Sequence, residues 1–311
     1  MTPTPSDATG PADLAPAIAV LINPTAGRGR HRSTVPAVLD ALAAAKREIQ
    51  VLSATSAGAA ISAARVAVAG GAGALIVAGG DGTVNLGLQV VAGTEIAFGA
   101  VPMGTGNDVV RELGLPTEPV AAARAIAHAL VTGQRRGIDL ARMVPAVGPP
   151  RWFGGVLGAG FDAMVNERAN RMRFPRGPRR YDVAIVAELV RLKPRAYTMC
   201  LDGVEHRFDG VLVAIANTPA YGGGMRICPA ADATDGLLDI VIAGPISRTT
   251  LTRIKPRVYA GTHLSHPMVT SYRARVVELD ADGITAYVDG ERASPLPVTV
   301  TAMPGALTLL G

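Results

Sequence analysis

The first half of the chain alternates between continuous apolar runs and longer segments whose apolar residues recur at helical spacing. The uninterrupted run at residues 17–22 predicts a strand that is buried on both faces, and the run at 75–78 predicts another buried strand. A short strand is predicted at 49–52 and a further one at 96–101. Helices are predicted between and after them, at residues 35–49, 58–68, from Asn85 onward, and 120–131. Because parallel strands need crossover connections, this alternation predicts an α/β fold with a parallel sheet.

The pattern changes after residue 137, where short runs with β character become frequent. They fall at residues 152–157, 196–201, 211–216, 237–242, 269–279, 284–288 and 298–301. Helices are predicted at 161–171, 181–192 and 246–260. Asp-Gly pairs separate several of the runs, and we interpret those at Asp209 and Asp282 as hairpin turns. The second half therefore predicts an antiparallel sandwich or barrel.

Three polar loops follow strands of the predicted parallel sheet. They begin at Asn23, Gly79 and Gly104. In such sheets ligands gather at the carboxyl ends of the strands. Glycines allow backbone amides to approach a phosphate, and a helix N-terminus favours anionic charge. Asp81 inside one of these loops suits a phosphate only if a divalent cation lies between them.

The composition excludes several common kinds of catalytic and metal site. Among 311 residues there are 30 basic ones, and only Lys46, Lys193 and Lys255 are lysines. The chain contains no P-loop, no nucleophile elbow and no His or Cys cluster with metal-ligand spacing. Cys200 and Cys228 are isolated, which is typical of a reducing compartment such as the cytoplasm. No window of 18 apolar residues could span a membrane, and residues 1–16 read as a disordered tail.

Aspartates in glycine-rich turns are the remaining candidates for chemistry. Asp81 and Asp108 follow neighbouring strands, so both are expected to face one cleft, and Asp139 lies near the domain junction. Asp232, Asp235 and Asp239 crowd a single loop. Carboxylates are preferred Mg²⁺ ligands, and phosphoryl transfer depends on positioning and charge neutralisation. This set therefore predicts Mg-nucleotide chemistry.

The motifs resemble, in order, those of bacterial diacylglycerol kinase and related lipid kinases, whose catalytic domain is shared with sphingosine and ceramide kinases. The matching segments are Asn23-Pro24 with Gly27, residues 79–83, 104–108 and 158–162, Asn217, and residues 222–225, 235–239 and 289–291. The resemblance implies a Rossmann-like nucleotide-binding domain at 17–137, completed by 297–311. It also implies a β-sandwich lipid-substrate domain at 138–296, with the active site in the cleft between the two.

The resemblance also implies roles for individual residues. ATP would be bound by Asn23, Pro24, Thr25, Ala26, Gly27, Thr55, Gly79, Gly80, Asp81, Gly82, Thr83, Val84, Asn85 and Thr105. An Mg²⁺–water network around the phosphates would involve Asp81, Asp108 and Asp139. Asp289 would be the general base toward the lipid hydroxyl, supported by Glu291. A second, structural Mg²⁺ would be held by Asp232, Asp235 and the carbonyl of Leu237.

An arginine-rich segment predicts how the enzyme reaches lipid. Its basic residues are Arg168, Arg171, Arg173, Arg176, Arg179 and Arg180. Together with nearby apolar side chains, they suit the anionic inner face of a membrane, although a solvated loop is the alternative. No stacking platform accompanies the arginines, so nucleic acid is not expected as a partner. Exposed sandwich edges are compatible with a homodimer.

Two other functions are compatible with parts of the sequence. An NAD kinase shares the Gly-Gly-Asp-Gly turn and a two-domain plan, but Asp289-Gly290-Glu291 and residues 222–225 match the lipid kinases better. A non-catalytic lipid-binding relative predicts a damaged site, whereas Asp81, Asp108 and Asp289 are all present. Diacylglycerol is the default acceptor, with a monoacylglycerol or a sphingoid base as alternatives.

Overall fold

A computed structural model describes residues 16–23, 26–29, 32–54, 56–172, 174 and 179–311. At residues 28–29, 32 and 179–182 it describes the backbone. The predicted tail and the predicted ATP-binding residues Pro24, Thr25 and Thr55 lie outside the described residues.

The N-terminal part is the predicted α/β unit with a parallel sheet. Its strands are β1 (Ile18–Ile22), β2 (Ile49–Leu52), β3 (Ala74–Gly79) and β4 (Ala97–Pro102). Its helices are α1 (Val35–Ala43), α2 (Ala57–Ala69), α3 (Asp81–Val91), α4 (Asp108–Glu112) and α5 (Pro119–Thr132). The four strands pair in the order β2-β1-β3-β4, all parallel, so the carboxyl ends of β1, β3 and β4 lie at one edge.

Two boundaries in this unit differ from the prediction. Helix α1 ends at Ala43 rather than near residue 49, and Lys46, with φ of 53°, turns the chain before β2. Helix α3 begins at Asp81 rather than at Asn85. The amides of Thr83 and Val84 both bond the carbonyl of Gly80, so the glycine turn is itself the start of the helix.

The remaining elements build a β-sandwich with three helices. Its strands are β5 (Arg136–Pro145), β6 (Arg151–Phe153), β7 (Val156–Gly160), β8 (Arg195–Leu201), β9 (Val204–Gly210), β10 (Leu212–Ala216), β11 (Leu238–Ala243), β12 (Val269–Ala274), β13 (Val276–Asp280), β14 (Thr285–Val288), β15 (Glu291–Pro295) and β16 (Val298–Leu309). Its helices are α6 (Phe161–Arg171), α7 (Arg179–Val190) and α8 (Arg248–Ala260). None of the helices in the described ranges is long and apolar enough to cross a membrane.

The two parts share one sheet through strand β16. It pairs with β13 over Val298–Thr301 and with β5 along most of its length to Leu309, and Thr308 and Leu309 also pair in parallel with Ala97 and Phe98 of β4. The result is a 10-stranded sheet with the path β2-β1-β3-β4-β16-β13-β8-β9, to which β5 and β6 are joined. The second sheet has six strands in the order β12-β11-β10-β7-β14-β15. Because β16 belongs to both parts, it fixes the orientation of the parallel edge toward the sandwich.

Separate hydrophobic cores support this arrangement. Helices cover both faces of the parallel sheet, where Leu75 and Phe98 lie in one core and Ile76 and Ile126 in the other. The sandwich core lies between its two sheets and includes Phe153 and Tyr197. Small side chains such as Ala64 let the helices approach the sheet closely.

Three sandwich predictions were wrong in detail. The run at 269–279 is two strands, because β12 pairs in one sheet and β13 in the other. The run at 152–157 is broken at Gly154-Gly155, where β6 ends and β7 has yet to begin. Asp209 lies inside β9 and pairs with Ala196, so it is not in a hairpin turn. Periodicity records which residues are apolar, but it does not record which sheet a strand joins.

Candidate active site

Two glycine turns meet at the carboxyl edge of the parallel sheet. They follow β3 at Gly80 and β4 at Gly104, and a Cβ added to Gly104 would lie 2.5 Å from the Cα of Gly80. No side chain other than hydrogen fits between these backbones. The N-terminus of α3 opens at the same point, with Asp81 in its first turn. A helix N-terminus beside closely packed glycines forms a site suited to phosphate.

A cleft of about 970 Å³ opens over these turns and extends to the sandwich. Residues from the nucleotide-binding prediction line it, namely Asn23, Ala26, Gly27, Gly80, Asp81, Gly82, Thr83, Asn85 and Thr105. Asp289, Gly290, Glu291 and Arg292 line it from the sandwich side. The structure thus brings together residues that are separated by more than two hundred positions along the chain. Of the other predicted residues, Gly79 lies buried at the end of β3, and the side chain of Val84 packs into a core.

Asp81 and Asp108 approach each other across Gly106. A Cβ added to Gly106 would lie 2.8 Å from Asp81 Oδ2 and 3.7 Å from Asp108 Oδ2. The amides of Asn107 and Val109 donate to the Asp81 carboxylate, at 2.8 and 3.3 Å. Burial raises the pKa of Asp81, and the nearby Asp108 raises it further. A cation bound between the two carboxylates would offset their mutual repulsion.

Asp108 also joins the two parts of the molecule. Its Oδ1 forms an ion pair with Arg111, and its Oδ2 accepts from the amide of Gly223 at 2.8 Å. Gly223 belongs to the glycine loop at residues 222–224, which has positive φ angles throughout. The sandwich therefore contributes a backbone donor to the acidic pair.

Asp289 occupies the tip of the β14–β15 hairpin, with φ angles of 48° at Asp289 and 81° at Gly290. Its Oδ1 accepts from the amides of Gly155 at 3.0 Å and Val156 at 3.1 Å. Its Oδ2 accepts from Asn85 Nδ2 at 3.3 Å and from the amide of Gly154 at 3.4 Å. Burial raises the pKa of Asp289 to about 6, against the lowering effect of these donors. The carboxyl is therefore a stronger base than an exposed aspartate.

The amides beneath Asp289 are themselves fixed by buried contacts. Asn217 is fully buried, and its Nδ2 donates to the carbonyls of Asp139 at 2.9 Å and Gly154 at 3.1 Å. Sequence reasoning named Asn217 only as part of the resemblance and missed Gly154 and Gly155 altogether. The signal was the Gly-Gly pair between two strand-like segments, a typical site of close backbone approach.

Glu291 and Gln89 complete the walls near the base. A Cβ on Gly82 would lie 3.5 Å from Glu291 Oε1, so this carboxylate lies over the first turn of α3. Gln89, which sequence reasoning missed, donates to the carbonyl of Trp152 at 2.7 Å and accepts from its amide at 3.0 Å. It ties α3 to β6 directly below the cleft. Spacing along α3 places Gln89 one turn after Asn85, which is the signal that could have found it.

Asp139 is buried, and both of its carboxylate oxygens accept from backbone amides. Oδ2 accepts from Gly236 at 2.7 Å and Oδ1 from Gly305 at 2.8 Å. These contacts fasten β5 to the loop before β11 and to β16. Its part in an Mg²⁺–water network stays a prediction, and the observed contacts give it a structural task at the junction.

The predicted second metal site already contains a cation from the chain. Arg273 forms ion pairs with Asp235 and Asp239. Asp232 Oδ1 accepts from the amide and hydroxyl of Thr234, and Asp235 Oδ1 accepts from the amide of Leu237. These contacts occupy both oxygens of Asp235 and one oxygen of Asp232, and a structural Mg²⁺ held by Asp232, Asp235 and the carbonyl of Leu237 stays a prediction.

Asp81 and Asp108 also have their oxygens in contacts, including the ion pair of Asp108 with Arg111, but they lie beside the phosphate-binding turn and are therefore the better candidates for Mg²⁺ bound with a nucleotide. Across the described part of the chain, no group of three or more His, Cys, Asp or Glu side chains converges as a metal site. Mg²⁺ bound with a nucleotide usually takes only one or two carboxylates, along with phosphate oxygens and water. Two neighbouring carboxylates beside a phosphate-binding turn meet that requirement.

Comparison with known proteins identifies similar chains. The family model of the diacylglycerol kinase catalytic domain matches residues 17–143, and that of the YegS C-terminal NAD kinase beta sandwich-like domain matches residues 155–311. A diacylglycerol kinase of Mycobacterium tuberculosis is 44% identical over 297 residues, covering 94% of each chain. A diacylglycerol kinase of Bacillus subtilis is 26% identical over 285 residues, covering 89% of this chain and 90% of that one.

The fold is also similar to that of solved structures. The crystal structure of a diacylglycerol kinase from Bacillus anthracis aligns with a TM-score of 0.71 at 22% sequence identity. The alignment covers 94% of this chain and 96% of that one. The predicted order of an α/β domain followed by a β-sandwich is therefore confirmed.

Proposed function

The chain belongs to the diacylglycerol kinase catalytic-domain family, and on that premise we propose that it transfers the γ-phosphate of ATP to a hydroxyl of diacylglycerol, giving phosphatidic acid. The observation that carries the proposal is the position of Asp289. A partly buried carboxylate with a pKa of about 6 lies in the same cleft as the glycine turns and the α3 N-terminus. A base and a phosphate site facing one space are what phosphoryl transfer to an alcohol requires.

In the proposed reaction the nucleotide phosphates lie against the turns at Gly80 and Gly104. The N-terminus of α3 favours their negative charge, and Thr83 and Thr105 line the cleft beside them. The acceptor hydroxyl attacks the γ-phosphorus in line, the bond to the β-phosphate oxygen breaks, and ADP leaves. Positioning and charge neutralisation supply most of the acceleration in such transfers.

Asp289 accepts the proton of the attacking hydroxyl. With a pKa of about 6, its carboxyl is mostly ionised at neutral pH, yet it is a stronger base than an ordinary aspartate. Asn85 and the amides of residues 154–156 hold it in one orientation toward the cleft. Since an alcohol is a weak acid, the proton moves as the new oxygen–phosphorus bond forms.

Asp81 and Asp108 would hold Mg²⁺, which when bound supplies positive charge to the phosphate oxygens. The raised pKa of Asp81, due to burial and to the neighbouring Asp108, supports this assignment. Since Arg273 already neutralises Asp235 and Asp239, no step involves an ion at that second cluster.

Contact with the anionic cytoplasmic face of a membrane would bring the cleft to its lipid. Among the predicted arginines, Arg173 and Arg176 lie outside the described residues. Arg171 is exposed, and Phe174 next to this segment is 84% exposed. On α7, Val183, Val186 and Val190 are exposed at spacings of three and four residues, which puts them on one helix face. Exposed apolar groups beside arginines suit an anionic lipid surface.

A transfer assay tests the proposal. The protein would be incubated with γ-³²P-labelled ATP and Mg²⁺, with diacylglycerol in mixed micelles or with NAD⁺. Label in the lipid phase that is lost in Asp289→Asn is the expected result. Label on NAD⁺, or none on lipid, would overturn it. A panel of monoacylglycerol and sphingoid base would then show whether another lipid hydroxyl is the acceptor.

A further inference from the structure

The hairpin that carries Asp289 is only slightly attached to its sheet. Strand β14 pairs with β7 through two residue pairs, Tyr287 with Gly158 and Val288 with Leu157, and the amide of Asp289 donates to the carbonyl of Val156 at 3.1 Å. The pairing of β14 with β15 is irregular between Ala286 and Tyr287, and β15 is the edge strand of the sheet. An edge hairpin with so few ladder bonds needs other contacts to keep its tip in place.

The carboxylate of Asp289 supplies one of those contacts, but only while it is ionised. Its bonds to the amides of Gly155 and Val156 and to Asn85 are charge-assisted. When the carboxyl accepts a proton in the proposed reaction, these bonds weaken at the moment when position matters most. The backbone bond from Asp289 to Val156 remains, and a side-chain anchor away from the tip would help it to keep the hairpin fixed through the transfer.

Glu167 on α6 has the contacts of such an anchor. Its Oε2 accepts from the hydroxyl of Tyr287 at 2.5 Å and from Nε of Arg292 at 3.1 Å. Tyr287 lies two residues before Asp289 and is buried, while Arg292 lies three residues after it. One carboxylate oxygen therefore grips both strands of the hairpin on either side of its tip.

Helix α6 gives Glu167 a fixed reference. The helix begins at Phe161, directly after Gly160 ends β7, and no loop separates the two. Strand β7 starts at Val156, one of the residues whose amides hold Asp289. Strand β7, helix α6 and the β14–β15 hairpin are thus connected to one another. Movement of the hairpin relative to the other two would require breaking the Glu167 contacts.

We propose that Glu167 is a positioning residue for Asp289, acting by holding Tyr287 and Arg292 on the two strands of the β14–β15 hairpin. The inference rests on the proposed function and extends it to a residue outside the cleft. Glu167 touches neither substrate nor nucleotide in this scheme. Its loss should therefore lower turnover and leave the binding of ATP unaltered.

Three variants and one control test the proposal in the full-length chain with a short-chain, water-dispersed diacylglycerol, which avoids membrane effects. Glu167→Ala removes both contacts and should lower kcat by about 100-fold, the usual effect of a misplaced catalytic group. Glu167→Gln keeps an oxygen for Tyr287, and Tyr287→Phe removes that bond alone. Each should lower kcat by roughly 10-fold, in keeping with loss of one bond to a charged group. The KM for ATP should stay at its wild-type value.

Glu205→Gln is the matched control. Glu205 pairs with Arg207 on the exposed strand β9, so its loss removes a surface ion pair of the same chemistry away from the hairpin. Wild-type kcat is expected for this variant. Melting temperatures of all variants would show that each is folded under the assay conditions.

The decisive measurement adds Glu167→Ala to an Asp289→Asn background. If Glu167 acts through the base, it has nothing left to position there, and the double variant should be no slower than Asp289→Asn alone. An equal further loss of kcat in that background would overturn the proposal, as would wild-type kcat in Glu167→Ala. A purely structural role of Glu167 would give an equal further loss of kcat in the Asp289→Asn background.

Hydrogen exchange keeps this inference separate from the proposed function. Amides of residues 285–295 should exchange faster in Glu167→Ala than in the wild type, whatever the acceptor is, and unchanged protection would overturn the anchoring role. If the wild type transfers no phosphate to diacylglycerol but the hairpin loosens in the variant, the acceptor assignment fails and the anchor stands.

Discussion

Replacing Asp289 by asparagine should abolish most of the turnover while leaving the fold intact. The change keeps the shape of the side chain and removes its ability to accept a proton. General-base catalysis contributes about 10²- to 10⁴-fold, so kcat is expected to fall by that amount, equivalent to roughly 3–5 kcal/mol of transition-state stabilisation. The amides of Gly155 and Val156 can still donate to the asparagine oxygen.

Two opposing effects on stability nearly cancel in this variant. Burial raises the pKa of Asp289 from 3.8 to about 6 in the folded protein. Since the folded-state pKa is the higher one, ionisation lowers the free energy of unfolding as the pH rises from about 4 to about 6. The full loss, about 3 kcal/mol, persists at neutral pH. Asparagine removes that loss, but its amide nitrogen would face the donors of Asn85 and Gly154, which costs about 1–3 kcal/mol.

The assay is a pH series of initial rates at saturating Mg-ATP, together with thermal unfolding of both proteins. Wild-type turnover on diacylglycerol should rise with pH and level off above about pH 6, because the base must be ionised to accept a proton. The variant should lack this rise and should unfold within about 2 kcal/mol of the wild type at neutral pH. Turnover above a tenth of the wild-type value, or a wild-type profile without the acidic limb, would refute the reasoning.

Three further predictions concern the phosphate site, the membrane face and the acidic cluster. Gly104→Ala should weaken ATP binding at least tenfold by calorimetry, since its Cβ would meet the Cα of Gly80, whereas Gly58→Ala, with open space around it, should bind normally. Val186→Asp should reduce sedimentation with anionic vesicles and spare activity on a water-dispersed lipid, and unchanged sedimentation would contradict the membrane face. Arg273→Gln should lower the midpoint temperature of unfolding, because Asp235 and Asp239 lose their ion-pair partner. Millimolar Mg²⁺ should restore part of that midpoint by taking the place of the guanidinium between the two carboxylates, and a variant as stable as the wild type would show that the ion pairs are dispensable.

Most of the N-terminal architecture follows from local pattern. Runs that are apolar on both faces are typical of central strands, as at β1, β3 and β4, and helices between them favour a parallel order. The position of Asp81 and Asp108 at one edge follows from that order alone, since the carboxyl ends of neighbouring parallel strands meet. The strand boundaries of β1, β2 and β3 agree with prediction to within one residue. The start of α3 at Asp81 differs from the predicted start at Asn85, because the glycine turn and the helix start share the same hydrogen bonds.

What distinguishes Asp289 from Asp282 is visible only in the tertiary structure. Both precede a glycine, both lie in turns of the sandwich, and nothing local separates them. The difference is that the amides of residues 154–156, which are more than a hundred residues away, converge on the Asp289 carboxyl. They hold the carboxyl in a partly buried position, where burial raises its pKa to about 6. Resemblance to a family selected Asp289, whereas its environment explains the choice.

The joining of the two halves is likewise a property of the whole chain. The run at 298–301 predicted a short strand, yet β16 extends to Leu309 and pairs with both the sandwich and the parallel sheet. The hydrogen bond from the amide of Gly305 to the Asp139 carboxylate depends on that extension, and the amide of Gly236 donates to the other oxygen of the same carboxylate. The sequence by itself determined which segments are buried and where polar loops follow them, because burial and turn formation are local in the chain. Only the tertiary structure decided which of those loops share a cleft, because pairing across the sheet brings together residues that no local pattern connects.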